Sequence, residues 1–61
     1  AILVELAELA EAAAKLSISL RHPIYDCFYI ALAQRERAEL VTADERMATA
    51  ARKARIKVRR L

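Results

Sequence analysis

Sixty-one residues with a net charge of +3, one cysteine and no glycine admit at most one small domain, marginal without staples or partners. A lone cysteine excludes an internal disulfide and makes a reducing, cytoplasmic setting the default. No apolar run is long enough to span a bilayer, and Glu5 interrupts the short run Ala1–Val4 too early for a signal peptide.

The first predicted element is an amphipathic helix over Val4–Leu20. Leu6, Leu9, Ala10, Ala13, Leu16, Ser17 and Leu20 recur at i, i+3, i+4 and i+7, while Glu5, Glu8, Glu11, Ala12 and Lys15 lie opposite. Glu11 and Lys15 form a favourable i, i+4 pair. Ser17, Ile18 and Ser19 weaken the end of this helix, and Pro23 forces His22 away from helical geometry. Pro23 suits the first position of a second helix, over Ile24–Arg37. Asp26 then falls in its first turn, where the helix dipole favours negative charge. Nothing is charged from there until Arg35, so the pattern predicts a central helix buried on most sides.

Glu39–Ala43 is short, β-branched and apolar at its centre, and predicts a buried strand of the parallel type. Asp44-Glu45-Arg46 opens a third helix, with Met47, Ala48, Ala51 and Arg55 on one face. Ile56–Leu61 alternates at its start, as a half-exposed strand does. The predicted order is α-α-β-α-β, with parallel strands joined by a right-handed crossover. Two strands are too few for a stable sheet, so further strands are expected outside these residues. The absence of glycine points the same way, because α/β domains usually want residues tolerant of positive φ at turns and helix ends.

Charge is unevenly distributed. From Arg46 onward there are seven bases and no acid. Such an end attracts nucleic acid, although solvated surfaces of a helix and an edge strand carry the same residues.

Two acids stand where chemistry is expected. Asp26 opens the second helix, and Asp44 follows the carboxyl end of a strand, where open parallel sheets bind ligands. Carboxylates converging there repel one another unless a cation lies between them. Hard cations such as Mg²⁺ or Mn²⁺ favour such oxygens, and metal-assisted phosphodiester hydrolysis is the corresponding reaction class. Purely structural roles are open for both acids. Asp26 suits a first-turn acid that complements the dipole, and Asp44 suits a helix N-cap; Thr42-Ala43-Asp44-Glu45 also fits a capping box with Thr42 as the cap. His22 offers a ligand or base, or a plain cap; Cys27 fits a small buried hydrophobe. Tyr25 and Tyr29 suit core or dimer packing better than base stacking.

His22-Pro23-Ile24-Tyr25-Asp26-Cys27-Phe28-Tyr29-Ile30-Ala31-Leu32-Ala33, followed by Leu40-Val41-Thr42-Ala43-Asp44-Glu45-Arg46, resembles the C-terminal half of PIN-domain proteins. Within that group it is most similar to the VapC toxins of type II toxin–antitoxin systems. The resemblance covers nearly the whole chain and implies residues 1–61 are the C-terminal part of a single PIN domain of α/β/α parallel-sheet architecture, its N-terminal half absent. It implies a Mg²⁺- or Mn²⁺-dependent endoribonuclease acting on RNA as a homodimer, neutralised by a VapB-type antitoxin. On that resemblance Asp26 and Asp44 match two metal-binding catalytic acids and Thr42 matches a supporting hydroxyl; Arg46, by its place just after the second acid, is a candidate contact for an RNA phosphate. The remaining family acids belong to the N-terminal half, and Glu5, Glu8 and Glu11 are not assigned their role. Members often carry glycine before each of these two strands, where this chain has Arg37, Glu39 and Arg55. A non-catalytic fragment that only associates, or a basic nucleic-acid binder, is the alternative.

Overall fold

The computed structural model describes residues 2–61. Its elements are α1 (Ile2–Leu20), α2 (Ile24–Glu36), β1 (Leu40–Thr42), α3 (Glu45–Lys53) and β2 (Val58–Arg60). This is the expected mixed α/β order. The strands pair in parallel, with Leu40 opposite Val58, Val41 opposite Arg59 and Thr42 opposite Arg60.

Each helix stops for the same local reason. Arg21, Arg37 and Arg55, one residue past an end or close to it, have φ of 51°, 51° and 63°. The following amide turns back into the helix: His22 N–H donates to Ser17 O, Ala38 N–H to Ala33 O, and Ile56 N–H to Ala51 O. This is the six-to-one bond of a helix terminated by a left-handed residue, a position usually given to glycine. A chain without glycine builds all three with arginine, at a steric cost of about 1 kcal/mol each.

The short turn after Leu20 folds α2 back along α1. Arg35 near the end of α2 lies 3.6 Å from Glu8 and donates to Glu5 O at 3.3 Å, both on α1. Small side chains allow the close approach. Ala13, Cys27 and Ala31 form one buried cluster, with Leu9, Ala12, Leu16 and Phe28 against it. Ile30, Ala33, Ala50, Ala51 and Ile56 form the second, joining α2 to α3 and the approach to β2. Glu11 and Lys15 pair as expected, at 3.4 Å, on the exposed side of α1.

Three expectations need correction. Burial of α2 is one-sided: Cys27, Ile30, Ala31 and Ala33 are buried, but Tyr25, Tyr29 and Leu32 are 80%, 61% and 45% exposed. The described elements cover only the face of α2 that meets α1 and the second core cluster, so the tyrosines are not core residues. The first strand is not buried on both faces either, since Val41 is 49% exposed. Finally, Pro23 sits just ahead of α2 as its N-cap, with ψ of 136°, rather than inside the first turn.

Candidate functional site

The turn between α1 and α2 is held by a ring of short bonds around His22. Its amide reaches Ser17 O at 3.2 Å. Its carbonyl accepts from Ser17 Oγ at 2.7 Å and from the Cys27 thiol at 3.8 Å. Its imidazole is buried, and Nε2 lies 2.8 Å from Asp26 Oδ2. An ionised carboxylate can only accept, so Nε2 carries the proton in this bond. His22 and Asp26 are four residues apart, spanning Pro23, and the first turn of α2 brings them together. Asp26 retains partial exposure, its side chain being 33% accessible. Burial, and secondarily the adjacent Asp26 carboxylate, push the Cys27 thiol above its ordinary value. Cys27 is therefore a protonated, buried side chain rather than a nucleophile.

Asp44 is held by backbone instead. It is the N-cap of α3, where its Oδ1 accepts from Arg46 N–H at 2.9 Å and from Met47 N–H at 3.4 Å. Its own N–H donates to Thr42 Oγ1 at 3.0 Å. Thr42 thus supports the turn one step earlier, while Asp44, not Thr42, is the cap. Glu45 does not reach back to close a capping box. It pairs with Arg60 at 2.9 Å and Arg52 at 3.8 Å. Arg60 also donates to Ala43 O at 3.1 Å, tying β2 to the loop that carries Asp44.

An open cleft of about 270 Å³ lies between the α1–α2 turn and the start of α3, lined by Arg21, His22, Glu45, Arg46 and Lys53 among others. Neither Asp26 nor Asp44 lines it, but the residue bonded to Asp26 and the residues following Asp44 do. Arg21, Arg46 and Lys53 enter no ion pair among the described residues. Cations without partners at a cleft wall suit phosphate oxygens.

The carboxylates suit a hard cation in kind. Each has one oxygen committed to the protein, and the described hydrogen bonds leave Asp26 Oδ1 and Asp44 Oδ2 free. In number they fall short, because among the described residues no three His, Cys, Asp or Glu side chains gather in a group able to hold a metal ion. Any complete site requires donors beyond these two.

His22 was only weakly indicated by sequence, as one option for a residue ahead of a helix-starting proline. Its i, i+4 relation to Asp26 was the available signal. Arg21 and Lys53 were not singled out, since their placement on one cleft depends on how α3 packs beside the turn.

Among the described residues, no helix is long and apolar enough to cross a membrane. Comparison with known proteins gives no significant match to any curated protein or solved structure. The profile of the PIN domain, however, matches residues 1–53, from α1 through the end of α3. With that match spanning most of its length, the chain belongs to the PIN domain family, whose members are commonly nucleases that depend on divalent metal ions.

Proposed function

We propose that this chain is the C-terminal part of a VapC-type PIN domain, and that the intact protein is a Mg²⁺- or Mn²⁺-dependent endoribonuclease. Asp26 and Asp44 supply two of its metal-binding carboxylates, with the remaining acids coming from outside these residues. The observation that supports this most is the state of the two acids. Both are oriented by the protein through one oxygen, and the residue that holds Asp26 and the residues that follow Asp44 line a cleft carrying Arg21, Arg46 and Lys53.

The division of labour follows from the contacts. His22 fixes the orientation of the Asp26 carboxylate through Nε2. Thr42 and the α3 amides fix Asp44. Arg46, with Arg21 and Lys53, draws the RNA backbone into the cleft and offsets its charge. When bound, the metal supplies Lewis-acid activation of water and of the scissile phosphate. As a VapC-type toxin the protein acts as a cytoplasmic homodimer and is neutralised by a VapB-type antitoxin. The exposed Tyr25, Tyr29 and Leu32 give such partners an apolar surface.

In the intact protein, Asp26→Asn and Asp44→Asn are each expected to abolish Mg²⁺-dependent cleavage of single-stranded RNA. Full activity in both variants would overturn the assignment. The lack of a three-donor group among the described residues favours one competing account, a basic nucleic-acid binder without catalysis. It requires RNA binding that survives both substitutions, ignores Mg²⁺ and leaves the RNA uncut.

A further inference from the structure

The chain has eleven lysines and arginines. Lys15, Arg35, Arg52, Arg59 and Arg60 are in ion pairs. The other six divide evenly between two places. Arg21, Arg46 and Lys53 line the cleft already described. Arg37, Arg55 and Lys57 line a second cleft, of about 360 Å³, at the other end of the sheet. Because β1 and β2 are parallel, the segments 37–39 and 55–57 enter both strands from one side. Asp44 leaves from the opposite side.

We propose that this second cleft binds the phosphate backbone of single-stranded RNA, apart from the place where cleavage occurs. The inference rests on the nuclease reading for the identity of the polyanion, and on three observations for the site. First, the cleft's cations have no ion-pair partner among the described residues. Its single acid, Glu39, is taken by Arg59 at 3.1 Å. The neighbouring Glu36 lines the surfaces around Leu32 instead. Second, two of the three cations occupy left-handed backbone, with φ of 51° at Arg37 and 63° at Arg55. Glycine would make both turns at lower steric cost, so backbone geometry does not account for arginine there. Third, Gln34 Nε2 donates to Ala54 O at 3.4 Å, bracing the end of α2 against the end of α3 and setting the cleft's walls relative to each other. One small anion would need one such cluster. Two clusters at opposite ends of the sheet suit a polymer of regularly spaced charges.

A second explanation is that Arg37 and Arg55 serve only the negative ends of α2 and α3. The test separates the two. Binding of fluorescent poly-uridine RNA, a four-nucleotide and a twenty-nucleotide strand, is measured in EDTA across a salt series. Wild type is compared with Arg37→Gly/Arg55→Gly, with Lys57→Gln, and with Arg46→Gln/Lys53→Gln in the first cleft. Each cation that touches a phosphate contributes about 0.7 to the slope of log affinity against log salt for single strands. The expected result is a slope lower by about 1.4 in the glycine double variant and about 0.7 in Lys57→Gln. Both should lose much of the preference for the longer strand, with a melting temperature unchanged or raised by the glycines. Unchanged slopes in both, with a reduced slope in Arg46→Gln/Lys53→Gln, would overturn the second site and leave the nuclease reading standing. A lower melting temperature with unchanged binding would assign the arginines to the helix ends and also overturn it. A fluorescent poly-glutamate peptide is titrated alongside, and variants that lose binding to it but not to RNA would overturn the site too, making the occupant an acidic protein segment. No RNA binding by wild type would reject the site, while the cleavage assays on Asp26 and Asp44 would still judge the nuclease reading independently.

Discussion

Asp26 and Asp44 carry the same functional group and are held in opposite ways. Asp26 leans on one buried side chain, the imidazole of His22, which is itself fixed by Ser17 and the turn. Asp44 leans on amides of the helix it starts, with a threonine beneath its own N–H. A carboxylate positioned by backbone keeps its place as long as the helix exists, whereas one positioned by a side chain can be released by a single substitution elsewhere. The two corners of the proposed site therefore differ in what supports them and in how that support can be removed.

The largest effects should come from removing the charges themselves. Asp44→Asn keeps a good N-cap, since asparagine and aspartate are about equivalent there, and its melting temperature should stay close to wild type. Asp26→Asn can still accept from His22. Both should nonetheless lose Mg²⁺-dependent cleavage in the intact protein, measured on a labelled single-stranded RNA. Two folded, inactive variants would show that charge, rather than capping or packing, is what these positions supply.

The asymmetry itself is tested by His22, a positioning residue. His22→Ala should lower cleavage by about 10-fold or more, in the range seen when groups that orient metal ligands are lost. It should also cost about 2 kcal/mol of stability, for a bond to a charged group. The distinguishing readout is the Mg²⁺ concentration giving half-maximal activity. It should rise in His22→Ala and return toward wild type in His22→Gln, whose amide can donate to Asp26. A half-maximal concentration that does not move would reduce His22 to a structural role.

Much of this was legible in the sequence, and the parts that were not share a cause. Helix positions, strand pairing and the place of both acids follow from local pattern: Pro23 marks a boundary, Leu40–Thr42 is β-branched and apolar, and Asp44 precedes a helix. The capping detail was left open because Thr42, Asp44 and Glu45 each satisfy a local rule. Arg60, far along the chain on β2, settles Glu45 by drawing it into an ion pair. The exposure of Tyr25, Tyr29 and Val41 could not be read locally either. An apolar pattern states what a face prefers to bury, while burial depends on which elements lie against it. The clefts were invisible for the same reason. Arg21 follows α1 while Lys53 ends α3, and Arg37 follows α2 while Arg55 follows α3, so only packing brings each set to one wall. The lack of glycine is met in a way no local pattern indicates, by three left-handed arginines.

The smaller predictions concern stability on the Asp44 side, where backbone support can be withdrawn in steps. Asp44→Ala removes the acceptor for Arg46 N–H and Met47 N–H and should cost about 1 kcal/mol. For a domain of this size that lowers the melting temperature by roughly 5 °C. Thr42→Val keeps the β-branched shape that the strand prefers and removes only the oxygen accepting from Asp44 N–H. Because that amide lies near solvent, water can replace the lost partner, and the cost should be about 0.5 kcal/mol. The comparison sharpens in the double variant. If Thr42 acts by seating the cap, the two losses will not add, because without the Asp44 carboxylate there is no cap for Thr42 to seat. Strictly additive losses in thermal melts would instead mean that Thr42 and Asp44 support the start of α3 separately.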